Sequence, residues 1–189
     1  SLHDALPILL LKELNKAERN TQNIEDILSF LRSLLSVSKG GEVRGLSESD
    51  LKGLEKSICC EIVQKLNVTL PNKDTPYHRL GKWIRSIERN RAIEIFTTNY
   101  DYLFELGLEY CNVPYYDGFS GGYKPFFNSE SIEDMNFLPT QTKLWKVHGS
   151  LGWKLEVETN KIIRANSDND DILIYPSILK SFAIFSGDI

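Results

Sequence analysis

Two short segments concentrate the side chains that could do chemistry. They are Phe96-Thr97-Thr98-Asn99-Tyr100-Asp101 and Lys146-Val147-His148-Gly149-Ser150. In each, polar residues follow directly on an apolar, β-rich run, the pattern of a buried strand giving way to a loop. Asn99 offers both a donor and an acceptor, so it can hold an amide or orient a water without adding charge. His148 carries an imidazole, which can accept a proton from a hydroxyl or a water. Asp101, near the start of a helix, can fix a cationic or hydroxyl-bearing group, and capping that helix is an equally good account of it. By local pattern alone His148 reads more readily as a structural histidine. Gly149 beside it marks a close backbone approach, which shifts the balance modestly toward a ligand.

The elements that must position these residues change character along the chain. The first half is helical. Asn23 caps a helix over residues 24–37, Ser47 and Asp50 open a second through Leu66, and Thr75-Pro76 opens a third to about Arg89. Residues 92–96 form a short strand expected to be buried. A helix over 101–110 and a strand over 113–116 follow, the strand–helix–strand unit of a parallel sheet. Residues 144–147 make another strand. If the two motif strands are parallel neighbours, Asn99 and His148 share one rim, the edge where open α/β sheets bind ligands. Residues 117–142 read as a long polar, aromatic-rich loop, either functional or partly mobile, and the aromatic stretch 115–127 as a lid or a contact surface. Residues 153–157 and 162–165 read as an exposed hairpin, residues 172–175 as a strand, and a last helix starts at Ser177. His78 is expected on a helix surface or half-buried. Trp83, Trp145 and Trp153 are expected to pack, although Trp153 stands near enough to His148 to line a pocket.

Composition bounds the partners. With 22 Lys and Arg against 26 Asp and Glu the formal charge is −4, which argues against a nucleic-acid surface. No apolar run is long enough to span a bilayer. Three cysteines, Cys59, Cys60 and Cys111, with no CxxC pair, give neither a disulfide framework nor a zinc site, and point to a reducing cytoplasm. Residues 2–8 read LHDALPI, similar to the translation of a sequencing-adaptor oligonucleotide. Residues 1–8 are therefore expected to be non-native and 9–189 to be one incomplete domain.

The pair of motifs resembles the Sir2-like family. TTNYD at 97–101 followed by HGS at 148–150 is similar to the TQNID-type segment and later HG pair of the sirtuins, with Thr98 in place of glutamine and Tyr100 in place of isoleucine. The flanks resemble the bacterial Sir2-like domains of anti-phage defence proteins: NIED at 23–26, DGF at 117–119, HGSLGW at 148–153 and IYPS at 174–177. The resemblance spans residues 23–180.

That resemblance implies an α/β, Rossmann-like parallel sheet flanked by helices, with a helical N-terminal half and a small hairpin insertion. It implies NAD⁺ as substrate, held by Thr97, Thr98, Asn99, Asp101, His148, Gly149 and Ser150. Asn99 would stand by the nicotinamide and position a water, and His148 would be the general base. The product would be nicotinamide with ADP-ribose or a cyclic relative. Deacylating sirtuins carry a four-cysteine zinc module after the HG pair. Here a hairpin without cysteine follows, so no zinc is expected and an NAD⁺ hydrolase is favoured over a deacylase. The family's Gly-rich phosphate turn does not precede Asn23, and the expected explanation is truncation. A binding module without turnover is the non-enzymatic alternative. Expected partners are further domains or defence proteins and a second copy of the chain.

Overall fold

The computed structural model describes residues 2–134, 136–156 and 158–164, leaving aside the side chains of residues 2–4 and 133. These residues form two compact units, one up to Ile62 and the other from Val63.

The first unit is helical because its caps and its apolar spacing agree. α1 (Leu2–Lys16) presents Leu10 and Leu14 to the core. α2 (Ile24–Val37) starts where the Asn23 side chain accepts a hydrogen bond from the Glu25 amide at 2.9 Å, as its sequence predicts. A two-residue hairpin joins β1 (Glu42–Val43) to β2 (Leu46–Ser47), with Arg44 and Gly45 both at positive φ, the backbone such a turn requires. α3 (Glu48–Leu66) opens on a reciprocal cap. The Asp50 amide donates to the Ser47 hydroxyl at 3.2 Å, and the Ser47 amide donates to the Asp50 carboxylate at 3.0 Å. Phe30, Leu31, Leu34, Leu46, Leu51 and Leu54 close a single core with Leu10 and Leu14.

In the second unit, α4 (Pro76–Ser86) begins at a Thr75 cap and is shorter than expected. It stops three residues before Arg89 because the chain turns extended at Ile87. The Arg89 guanidinium then donates back to the Ile84 carbonyl and across to the Thr142 hydroxyl, both at 2.8 Å. His78 is buried, contrary to its expected exposure. Its Nδ1 accepts from the Thr75 amide, and its ring packs edge-on against Tyr110 at 4.4 Å.

β3 (Glu94–Thr97), α5 (Leu103–Tyr110) and β4 (Tyr115–Tyr116) form the expected strand–helix–strand unit. β5 (Phe119–Ser120), β6 (Phe126–Phe127) and the short α6 (Glu130–Glu133) follow, then β7 (Thr142–Lys146). β7 lies between β3 and β4 and runs parallel to both. The fold class is therefore the expected one, a parallel sheet with helices against it. Ile84 on α4 and Leu108 on α5 make a buried cluster with Cys111 and Val113, and Ile93 and Ile95 pack onto it.

Three expectations are corrected. β3 is not buried throughout: Ile95 packs toward the helices, while Phe96 on the opposite face is 66% exposed. Residues 117–142 are not an irregular loop, since they contain β5, β6 and α6. The hairpin of β8 (Trp153–Glu156) and β9 (Lys161–Arg164) does not stand alone, because β9 pairs with β6 to make a second sheet in the order β5-β6-β9-β8. Trp153 is buried against Phe119 and Phe127, which gives this small sheet its own aromatic core. The strand expected at 172–175 and the helix expected from Ser177 lie outside the described residues.

Candidate active site

The parallel pairing of β3 with β7 sets the geometry of the rim. Thr97 is register partner to Lys146, and each motif runs on two residues from there, to Asn99 on one side and His148 on the other. The two residues thus leave the carboxyl ends of adjacent strands at the same level. The ladder extends past the strand end, with the Val147 amide donating to the Thr97 carbonyl at 3.1 Å.

The local turns are fixed by the residues' own groups. Thr97 is buried, and its hydroxyl accepts from the Asn99 amide at 3.1 Å, turning the chain outward so that Thr98 and Asn99 are exposed. Asp101 is half-buried and accepts from the Leu103 amide at 3.0 Å, so it does tie off the start of α5. His148 is half-buried. Gly149 follows at φ +90°, a conformation that side-chain-bearing residues rarely adopt, and its amide closes a turn onto the Lys146 carbonyl at 3.2 Å. Ser150 is buried, with its hydroxyl turned inward toward Lys146 and the Tyr100 carbonyl rather than toward the rim.

Beneath this rim lies a feature that sequence reasoning missed. Lys146 ends β7, immediately before the turn that carries His148. The lysine side chain is 2% exposed, and its ammonium sits 2.8 Å from the Glu105 carboxylate on α5. The same ammonium donates to the Tyr100 carbonyl (3.4 Å), the Asp101 carbonyl and the Ser150 hydroxyl (3.2 Å), and lies 5.3 Å from the centre of the Tyr102 ring. The Leu151 amide donates to the Tyr100 carbonyl at 3.0 Å, so the two motif segments are joined by backbone as well. Burial pushes the Glu105 carboxyl above the usual carboxylate range, opposed by the neighbouring lysine. Its second oxygen is buried without a hydrogen-bond partner. The pattern was present in the sequence: a lysine on a core strand, and a glutamate three positions before Leu108 on the buried face of the covering helix.

Residues 93–184 match the family model of the SIR2-like domain. The chain carries a SIR2-like domain. The match begins at β3 and takes in both motif segments and the second sheet. NIED at 23–26 and the helical first unit lie before the matched residues. No curated protein matches the chain. Domains of this family use NAD, so the rim formed by β3 and β7 in this SIR2-like domain is the candidate place for that nucleotide. Among the described residues there is no group of three or more His, Cys, Asp or Glu side chains placed to hold a metal ion.

Proposed function

We propose that the SIR2-like domain hydrolyses NAD⁺ at the nicotinamide–ribose bond. The observation that carries this reading is the parallel register of Thr97 with Lys146, which brings the two motif segments to one rim. In the reaction the bond between ribose C1′ and the nicotinamide nitrogen breaks, and its electron pair leaves with nicotinamide. The ribose passes through an oxocarbenium-like state, water adds to C1′, and one proton is released. Asn99 orients the water and the nicotinamide side through its neutral amide. His148 accepts the proton from the water or a ribose hydroxyl. Thr98, Asp101 and Gly149 shape the pocket around them, while Thr97 and Ser150 hold the two turns from beneath. Capture of C1′ by a group of the same molecule instead of water would give a cyclic product.

The contrast with deacylases supports hydrolysis. Residues 149–189 contain no cysteine, and β8 and β9 belong to a sheet packed on aromatic side chains. The resemblance to bacterial defence proteins supports a cytoplasmic effector that drains NAD⁺ during phage infection. In that setting it would act with further domains or partner proteins and as a homo-oligomer.

The test is nicotinamide release from NAD⁺ by the chain and by its Asn99→Ala and His148→Ala variants, with folding checked by circular dichroism. Loss of roughly 10²–10⁴-fold in the His148 variant is expected. Full turnover in folded His148→Ala would remove the proposed mechanism. Transfer of an acetyl group from an acetyl-lysine peptide to ADP-ribose would establish the deacylase instead. NAD⁺ binding without release of nicotinamide would establish a binding module.

A further inference from the structure

A buried ammonium joined to both motif segments has a purpose that the proposed chemistry does not itself require. Lys146 leaves β7 on the same face as Ile95 and Thr97 of β3, toward α5, and reaches three oxygens outside its own strand besides its counter-ion. Two of these, the Tyr100 and Asp101 carbonyls, belong to the segment that carries Asn99. The third, the Ser150 hydroxyl, belongs to the segment that carries His148. Carbonyls gathered on one cation cannot separate without leaving a buried charge short of partners, which makes the arrangement stiff. Among the described residues Glu105 is the carboxylate that pairs with this ammonium, and it comes from the helix that the first segment leads into. The Tyr102 ring covers the same ammonium.

We infer that Lys146 is a positioning residue: its ammonium, balanced by Glu105, clamps the 97–101 and 148–151 segments together and so sets the spacing of Asn99 and His148. This role rests on the reading of the rim as the site of glycosidic cleavage. The clamp does not touch substrate. It acts by keeping the water-orienting amide and the proton acceptor in one fixed arrangement, and small misplacements of such groups slow chemistry much more than they weaken binding.

The experiment pairs amide hydrogen exchange with steady-state nicotinamide release. It uses the unmodified chain, Lys146→Arg, and the double variant Lys146→Met with Glu105→Gln, which removes both charges and leaves no lone buried ion. The Leu151 amide, bonded to the Tyr100 carbonyl, reports the join between segments. The Val147 amide, bonded to Thr97, reports the strand ladder. In the double variant Leu151 is expected to exchange about tenfold faster or more, while Val147 is unchanged. kcat is expected to fall roughly 100-fold with KM within about threefold. Lys146→Arg keeps the cation and should hold Leu151 exchange near the unmodified rate and recover most of kcat. Unchanged Leu151 exchange in a folded double variant overturns the clamp, as does a loss confined to KM. If the unmodified chain releases no nicotinamide while Leu151 exchange still responds, the functional reading fails and Lys146 is a structural lysine only.

Discussion

Glu105 shows how one side chain can carry the tension of a site. Burial holds its carboxyl above the ordinary range, with Lys146 opposing in part. A group whose folded pKa is raised binds its proton more tightly in the folded state. Its stabilisation is complete below the unfolded value of about 4.5 and is lost as pH rises through the folded value. Glu105→Gln removes that titration. The stability of the unmodified chain minus that of Glu105→Gln, measured by urea unfolding at a series of pH values, is therefore expected to decline as pH is raised from about 4.5. A difference that grows with pH would show that Lys146 stabilises the carboxylate beyond its cost of burial. At this scale the sequence was legible where polar residues end strands: Asn99 and His148 follow strand ends as expected, and the pairing of β3 with β7 brings them to one rim. Ser150 and Lys146 were harder to read, because a serine or a lysine beside a motif looks the same in sequence whether it turns out to the rim or in to the core. Only the partners decide: Glu105 on α5, some forty residues earlier, for Lys146, and the Lys146 ammonium in turn for Ser150.

Elements in the second unit fit through small residues at close range. A Cβ added at Gly107 would lie 2.8 Å from the Tyr77 Cβ and 3.1 Å from its backbone, and one added at Gly81 would lie 2.8 Å from both the Cys111 sulfur and the Gly107 carbonyl oxygen. α4 and α5 therefore approach on glycine, and the clash at Gly107 is with backbone that cannot rotate away. Gly107→Ala is expected to cost about 1–3 kcal/mol in urea unfolding even though alanine is the better helix former, because α4 must shift off the sheet to admit the methyl group. A gain in stability would show that the helices have room to separate. Helix starts were legible because Asn23, Ser47 and Thr75 bond to amides two or three residues away, and such local chemistry is written in order along the chain. The end of α4 was not, since it depends on Arg89 reaching Thr142 across 53 positions. β5 and β6 were missed for the same reason. Each is two residues long, and the second sheet exists only through pairing with β9 far downstream.

At the scale of the molecule, the sheet order β3-β7-β4 accounts for why two motifs separated by nearly fifty residues can work as one site. A strand inserted between the two strands of a strand–helix–strand unit has its carboxyl end beside theirs, so whatever follows it joins the same rim. The sequence supplied the strands and their direction, while the central place of β7 needed the structure. The second sheet bears on metal dependence. Where a zinc module would need four thiolates, this chain has β8 and β9 tied to β6, with Trp153 packed at 5.4 Å from Phe119 and 5.3 Å from Phe127. Its three cysteines stand at 59, 60 and 111, before that sheet's hairpin. Apolar packing of this kind holds a small sheet without any ion, whereas a structural zinc site unfolds when its metal is removed. Dialysis against a strong chelator is therefore expected to leave both the thermal midpoint and nicotinamide release unchanged. Trp153→Ala, by contrast, should lower stability by roughly 3–5 kcal/mol through the cavity it opens among the aromatic rings. A fall in the midpoint on chelation, restored by zinc, would mean that a metal shares in holding this sheet and would reopen the case for deacylase chemistry.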